Sequence, residues 1–158
     1  MESLSEMFGV EPGNPRLDQF EAATRQVLQI ADNYSKLAEP PAVFRLDTEP
    51  APPPAITAWF ALHAEDFARV RRCRHGSWHS PTVLWPGEPH RALCPACDAQ
   101  RGQELRAAEV ALPSGAALDC DFCGVPALAL RVVVLPIGPL LVRGVACAAC
   151  LQVPVPAS

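Results

Sequence analysis

Aromatic residues and methionine are scarce in this chain of 158 residues, which has six Phe, three Trp, one Tyr and two Met. Much of its 49% hydrophobic content is Ala and Val, so a single large continuous core is not expected. No apolar run approaches the roughly 20 residues that a membrane-spanning helix needs. The opening stretch, Met1-Glu2-Ser3-Leu4-Ser5-Glu6, is acidic and no apolar segment follows it. No export signal is therefore expected, and the reading is a cytoplasmic protein with no membrane partner. A global basic excess is missing too, because the formal net charge is −4. Residues 1–68 carry −7 and residues 69–158 carry +3, so any cationic surface has to be local.

Proline is abundant, with eighteen residues that cut the chain into short pieces. Residues 1–38 read as a loose arm followed by an amphipathic helix over about 15–38. Asn14-Pro15 supplies a cap and a first-turn proline, and Leu17, Phe20, Val27, Ala31, Tyr34 and Ala38 recur at helical spacing. Residues 39–54 carry six prolines and read as an extended linker. From 55 to 72 the helical period returns, with Ile56, Trp59, Phe60, His63, Phe67 and Val70 on one face. His63 sits in that stripe as a core residue rather than a ligand.

All seven cysteines fall between Cys73 and Cys150. Six form Cys-x-x-Cys pairs: Cys94/Cys97, Cys120/Cys123 and Cys147/Cys150. The seventh belongs to Cys73-Arg74-His75-Gly76. Two tetrahedral zinc sites need eight nitrogen or sulfur donors, and seven cysteines with one histidine supply that number. In a reducing compartment such pairs bind metal or do redox chemistry. The βαβ setting of thioredoxin-like chemistry is missing, so two structural Zn2+ ions are expected. The ligands are Cys73, His75, Cys94 and Cys97 at one site, and Cys120, Cys123, Cys147 and Cys150 at the other. His79 and His90 are alternatives to His75. A crossed pairing of the knuckles is an alternative to the sequential one.

Around the first ligands, the hairpin-like stretch 77–93 turns at Trp85-Pro-Gly-Glu-Pro89 and leads into a helical pattern from Asp98 to about Val110. Knuckle, hairpin and ligand-bearing helix over 73–110 resemble a treble clef. In 117–152, Cys120-Asp-Phe-Cys-Gly124 and Cys147-Ala-Ala-Cys150 flank two strand-like runs, Ala127–Leu135 and Leu140–Ala146, and resemble a zinc ribbon. The ribbon strands are apolar on both faces, interrupted by Arg131 and Arg143, so they must pack on the N-terminal helix, on the first module or on a partner. Residues 153–158 form a tail. The expected fold class is a small zinc-stabilised α+β protein, with N-terminal helices followed by a treble-clef-like module and a zinc-ribbon hairpin.

Zinc held by four protein ligands is closed to substrate, so no enzymatic activity is expected. Arg69, Arg71, Arg72 and Arg74 crowd the entry to the first knuckle, with Trp78, Trp85 and Arg91 near in sequence. Arginines contact phosphates and aromatic rings stack on bases. The leading expectation is a protein that engages nucleic acid, or a nucleic-acid-handling complex, through 69–91. Alternatively, Arg71, Arg72 and Arg74 are a solvated helix end and the chain is a protein adaptor binding through 15–38 and 126–146. A third reading comes from residues 90–102, which also resemble the end of an HNH nuclease. Here Trp78-His79-Ser80-Pro81 offers one His without the acidic or second His neighbour of that family's catalytic hairpin.

Overall fold

The computed structural model describes residues 15–38, 41–45, 51–68, 71–75, 80–89 and 91–152. In chain order the elements are α1 (Pro15–Tyr34), β1 (Ala42–Val43), α2 (Pro54–Ala68), β2 (Arg71–Arg72), β3 (Thr82–Leu84) and β4 (Arg91–Leu93). They continue with α3 (Pro95–Val110), β5 (Leu118–Asp119), β6 (Pro126–Ala127), β7 (Leu130–Ile137), β8 (Leu140–Cys147) and α4 (Ala148–Leu151). A mixed sheet of six strands in the order β1-β7-β8-β3-β4-β2 organises the molecule, and β5 and β6 form a small sheet of their own.

The long antiparallel hairpin β7–β8 pairs from Leu130↔Cys147 to Ile137↔Leu140. Gly138 in its turn has φ +52°, a backbone that L side chains rarely adopt, and Phe20 of α1 covers the turn. The short hairpin β3–β4 joins this sheet through a parallel pairing of β3 with β8, from Thr82↔Leu140 to Leu84↔Val142. The two cysteine-bearing hairpins therefore share one sheet.

Side chains alternate across that sheet, as the two-residue strand period dictates. Val83, Val134 and Leu141 pack with Val27 and Ala31 of α1 on one face. Leu84, Val133, Leu135 and Val142 pack on the other with Ile56 and Trp59 of α2 and Leu151 of α4. These two coverings bury both faces of β7 from Val133 to Pro136, which explains its doubly apolar pattern there, whereas Arg131 and Val132 stay exposed.

Several boundaries differ from the sequence reading. Helix α1 stops at Tyr34, and Ser35–Ala38 continue only as turns and bends. The second helix ends at Ala68 rather than near 72. Arg71 and Arg72 are not a helix end. They form an outer strand parallel to β4, and the Cys73 N–H donates to the Ala92 carbonyl at 2.9 Å. This pairing carries Cys73 alongside Cys94. Within the expected linker, Ala42–Val43 adds to the free edge of β7, and the Phe44 N–H donates to the Val134 carbonyl. The proline-free stretch Ala42–Arg45 can donate backbone hydrogen bonds, which its flanking prolines cannot. The second ribbon strand starts and ends where expected, within a residue, whereas the first breaks between β6 and β7. Asn14, the expected helix cap, lies outside the described residues. Among the described residues, no helix is long and apolar enough to cross a membrane.

Candidate metal centres

The first group forms where β2, β4 and α3 converge. Cys73 and His75 follow β2, Cys94 follows β4, and Cys97 lies in the first turn of α3. The ligand atoms of these four residues all lie within 4.8 Å of one another. His75 Nδ1 is 3.4 Å from Cys97 Sγ, and the Cys94 N–H donates to Cys73 Sγ at 3.2 Å. His79 and His90, the alternative donors, lie outside the described residues, while His75 is placed with the three thiols.

The second group closes the open end of the long hairpin. Cys120 and Cys123 come from the tight turn between β5 and β6, Cys147 ends β8 and Cys150 lies in α4. The turn is fixed by hydrogen bonds from Cys120 N–H to the Val125 carbonyl and from Gly124 N–H to the Cys120 carbonyl. Gly124 takes a φ of +69° that suits glycine. Cys120 and Cys150 Sγ are 3.8 Å apart, as are Cys123 and Cys147 Sγ. Four thiolates at about 2.3 Å from a tetrahedral ion would sit about 3.8 Å from one another. The Cys147 N–H donates to Cys120 Sγ at 3.4 Å. The grouping is sequential: the first four donors along the chain form one site and the last four the other.

The thiols perturb one another as a crowded set of ionisable groups must. At the second site the backbone N–H of Cys150 brings Cys147 down to about 7 against its burial, with help from the neighbouring thiols. Burial, then the adjacent sulfurs, push Cys150 well up. Cys123 is raised as well: the Val125 N–H favours its thiolate, but burial and the thiols of Cys120 and Cys147 outweigh it. At the first site Cys97 is pushed up to about 11 by the Cys94 thiol and by burial. Burial also opposes charge on Cys73, but the N–H groups and thiols around it prevail and lower it. Several adjacent thiolates repel one another unless a cation lies among them, and this donor set suits a thiophilic divalent ion. Each group can thus hold one metal ion.

Two aspartates beside the ligands tie the centres to the sheet. Asp121, in the Cys120–Cys123 turn, accepts the Val145 N–H of β8 at 2.6 Å through Oδ2. Burial raises its pKa, with that N–H opposing. Asp98, directly after Cys97, is 7% exposed. Its Oδ1 accepts from Trp85 Nε1 at 2.9 Å, and its Oδ2 lies 3.2 Å from Arg143 Nη1 on β8. The Arg143 guanidinium in turn lies over both the Tyr34 ring, at 5.5 Å, and the Trp85 ring, at 5.1 Å. Residues of α1, the first hairpin, α3 and the second hairpin therefore meet at one guanidinium. The sequence signals were weak: Arg143 interrupts an apolar strand, and Asp98 directly follows a knuckle.

Of the residues expected to contact nucleic acid, Arg74 and Arg91 are exposed. Arg91 pairs with Glu88 at 3.4 Å. The register sets Arg71 beside Arg91 and Arg72 beside Ala92, on the outermost strand next to the first centre. Arg69 and Trp78 lie outside the described residues. Trp85, expected near a binding surface, is engaged by Asp98 and Arg143 instead. His63 is no part of either centre. Its Nδ1 is 3.0 Å from Asp66 Oδ2, and its ring lies 4.7 Å from that of Trp59. No protein-family model, curated protein or solved structure matches the chain.

Proposed function

We propose that this chain is a non-enzymatic binding protein held in shape by two structural zinc ions, one in a treble-clef-type module (73–110) and one in a zinc ribbon (117–152). The observation that carries this reading is the pair of four-donor clusters, each with its donor atoms within 4.8 Å of one another, and with two sulfur pairs 3.8 Å apart at the second. Four protein donors complete a tetrahedral zinc shell, so the ions would supply folding energy and no open position for a substrate. The treble-clef reading is supported by the ligand-bearing start of α3 behind the β3–β4 hairpin. The ribbon reading is supported by two knuckles at one end of β7–β8.

The leading partner is nucleic acid, engaged along the basic sheet edge beside the first centre. The parallel register of Arg71 with Arg91, followed by exposed Arg74, supports it. A protein partner is the second reading. It is favoured by Val125, Leu128 and Val132, which are 57%, 80% and 38% exposed on the metal-bearing part of the ribbon.

Metal analysis of the purified chain should find two zincs. Anisotropy of labelled duplex and single-stranded DNA and RNA at two salt concentrations then separates the partners. Binding that weakens steeply with salt, and is lost in an Arg71/Arg72/Arg74→Ala variant that keeps both zincs, supports the nucleic-acid reading. The absence of salt-sensitive binding removes it and leaves the apolar ribbon surface.

A further inference from the structure

The two centres are built unequally. At the second, Cys123 is exposed, but Cys120, Cys147 and Cys150 are buried and belong to the main apolar core with Ile56, Trp59, Phe122 and Leu151. Phe122, from within the knuckle, meets Trp59 edge-on at 5.6 Å between ring centres. Removing that metal would strand thiolates inside the core. At the first centre only Cys94 is buried, and it belongs to neither core cluster. Cys73 and Cys97 are partly exposed, and His75 is exposed. Its donor set also carries one thiolate fewer, with a neutral imidazole in place of the fourth.

We propose that the Cys73/His75/Cys94/Cys97 centre is an exchangeable zinc site, and that the four-cysteine centre is the permanent one. The proposal rests on the zinc reading above. His75 is the donor that leaves: it is neutral, exposed and without a place in the core. Its departure opens a coordination position that a competing ligand from solution occupies. Cys73, Cys94 and Cys97 would then release a bound zinc ion to that competitor with no change of oxidation state, and their thiolates would take up protons from water, leaving hydroxide to the buffer.

The geometry also provides a route by which occupancy is felt elsewhere. Asp98 is the residue after Cys97, and it holds both Trp85 and Arg143 of β8. Loss of the first zinc loosens the start of α3 and with it this contact between the two hairpins. The chain would then respond to zinc availability through its first module while its ribbon stays assembled.

The test is timed zinc release from the full chain to 4-(2-pyridylazo)resorcinol, with alkylation of exposed thiols by N-ethylmaleimide and peptide mass spectrometry. Expected is biphasic release, the first zinc leaving faster by roughly tenfold or more, the scale on which surroundings tune metal affinity. Cys73, Cys94 and Cys97 would be alkylated in that phase, with Cys120, Cys147 and Cys150 protected. A His75→Cys variant, which restores a fourth thiolate, should slow the first phase selectively. Release of both zincs in one phase, or earlier labelling of Cys120, Cys147 or Cys150, overturns the exchangeable-site proposal and leaves the zinc reading standing. Fewer than two zincs in a folded chain overturns both.

Discussion

Gly144 on β8 lies against the second knuckle so closely that a methyl group has no room. A Cβ there would stand 2.8 Å from Asp121 Oδ2, 2.8 Å from Pro86 Cγ and 2.9 Å from Pro86 Cδ. The Pro86 ring cannot swing aside, and Asp121 is committed to the Val145 N–H. Gly144→Ala should therefore cost about 1–3 kcal/mol, as overpacking does, measured as a lower denaturation midpoint of zinc-loaded protein. Asp121→Ala should cost a comparable amount, about 1–3 kcal/mol, by leaving the Val145 N–H without its acceptor. Asp121→Asn keeps an acceptor oxygen and should lose less. If Asp121→Ala melts like the parent, the carboxylate does not hold the turn to β8. The six Cys-x-x-Cys thiols were legible in the sequence because each such pair is a local motif marked by its spacing, whereas His75 stood beside His79 and His90 as one of three possible donors. Asp98, Asp121 and Arg143 were not legible, because their partners lie far along the chain: Asp98 and Arg143 are 45 residues apart.

Helices α1 and α2 show what can be read from periodicity and what cannot. Their apolar stripes were visible in sequence, and Val27 and Ala31 of the first and Ile56 of the second are fully buried. Which sheet face each would cover was not visible, because both faces of β7 are apolar and accept either stripe. The two-residue strands β1 and β2 were missed for a related reason, since two residues carry no period. Arg71-Arg72 follows a helical pattern and reads as its continuation until the pairing with β4 is seen. Ile56 packs against the β7–β8 hairpin beside the second centre, with Trp59 and Leu135 in the same cluster. Ile56→Ala should cost about 2–5 kcal/mol, and it should also speed metal loss from the second centre, because Ile56 packs in one cluster with Cys120, Cys147 and Cys150. A variant that melts lower but releases zinc at the parental rate would show that α2 stabilises the sheet without guarding the metal.

At the scale of the molecule, the hairpins β3–β4 and β7–β8, each leading to one candidate metal centre, are joined by β3–β8 pairing and by the Arg143 contact. Asp98 and Arg143 sit on different hairpin systems, with side chains 10% and 20% exposed. Removing the carboxylate leaves a guanidinium between Tyr34 and Trp85 with its charge uncompensated. Asp98→Ala should cost about 2–3 kcal/mol, less than for a wholly buried pair because Arg143 keeps some contact with water. Arg143→Met in the same chain should recover part of that loss, since the unpaired charge is then gone while the flat contact with two rings is partly kept. The shape of the transition carries the structural content. One shared sheet predicts that zinc-loaded protein unfolds in a single cooperative step, and that Asp98→Ala moves the whole step, including the signal of the Trp59–Phe122 contact on the opposite sheet face. Two steps, with Asp98→Ala shifting only one, would mean that the hairpins fold as independent bodies. Arg143 would then be a contact between them rather than part of a common core.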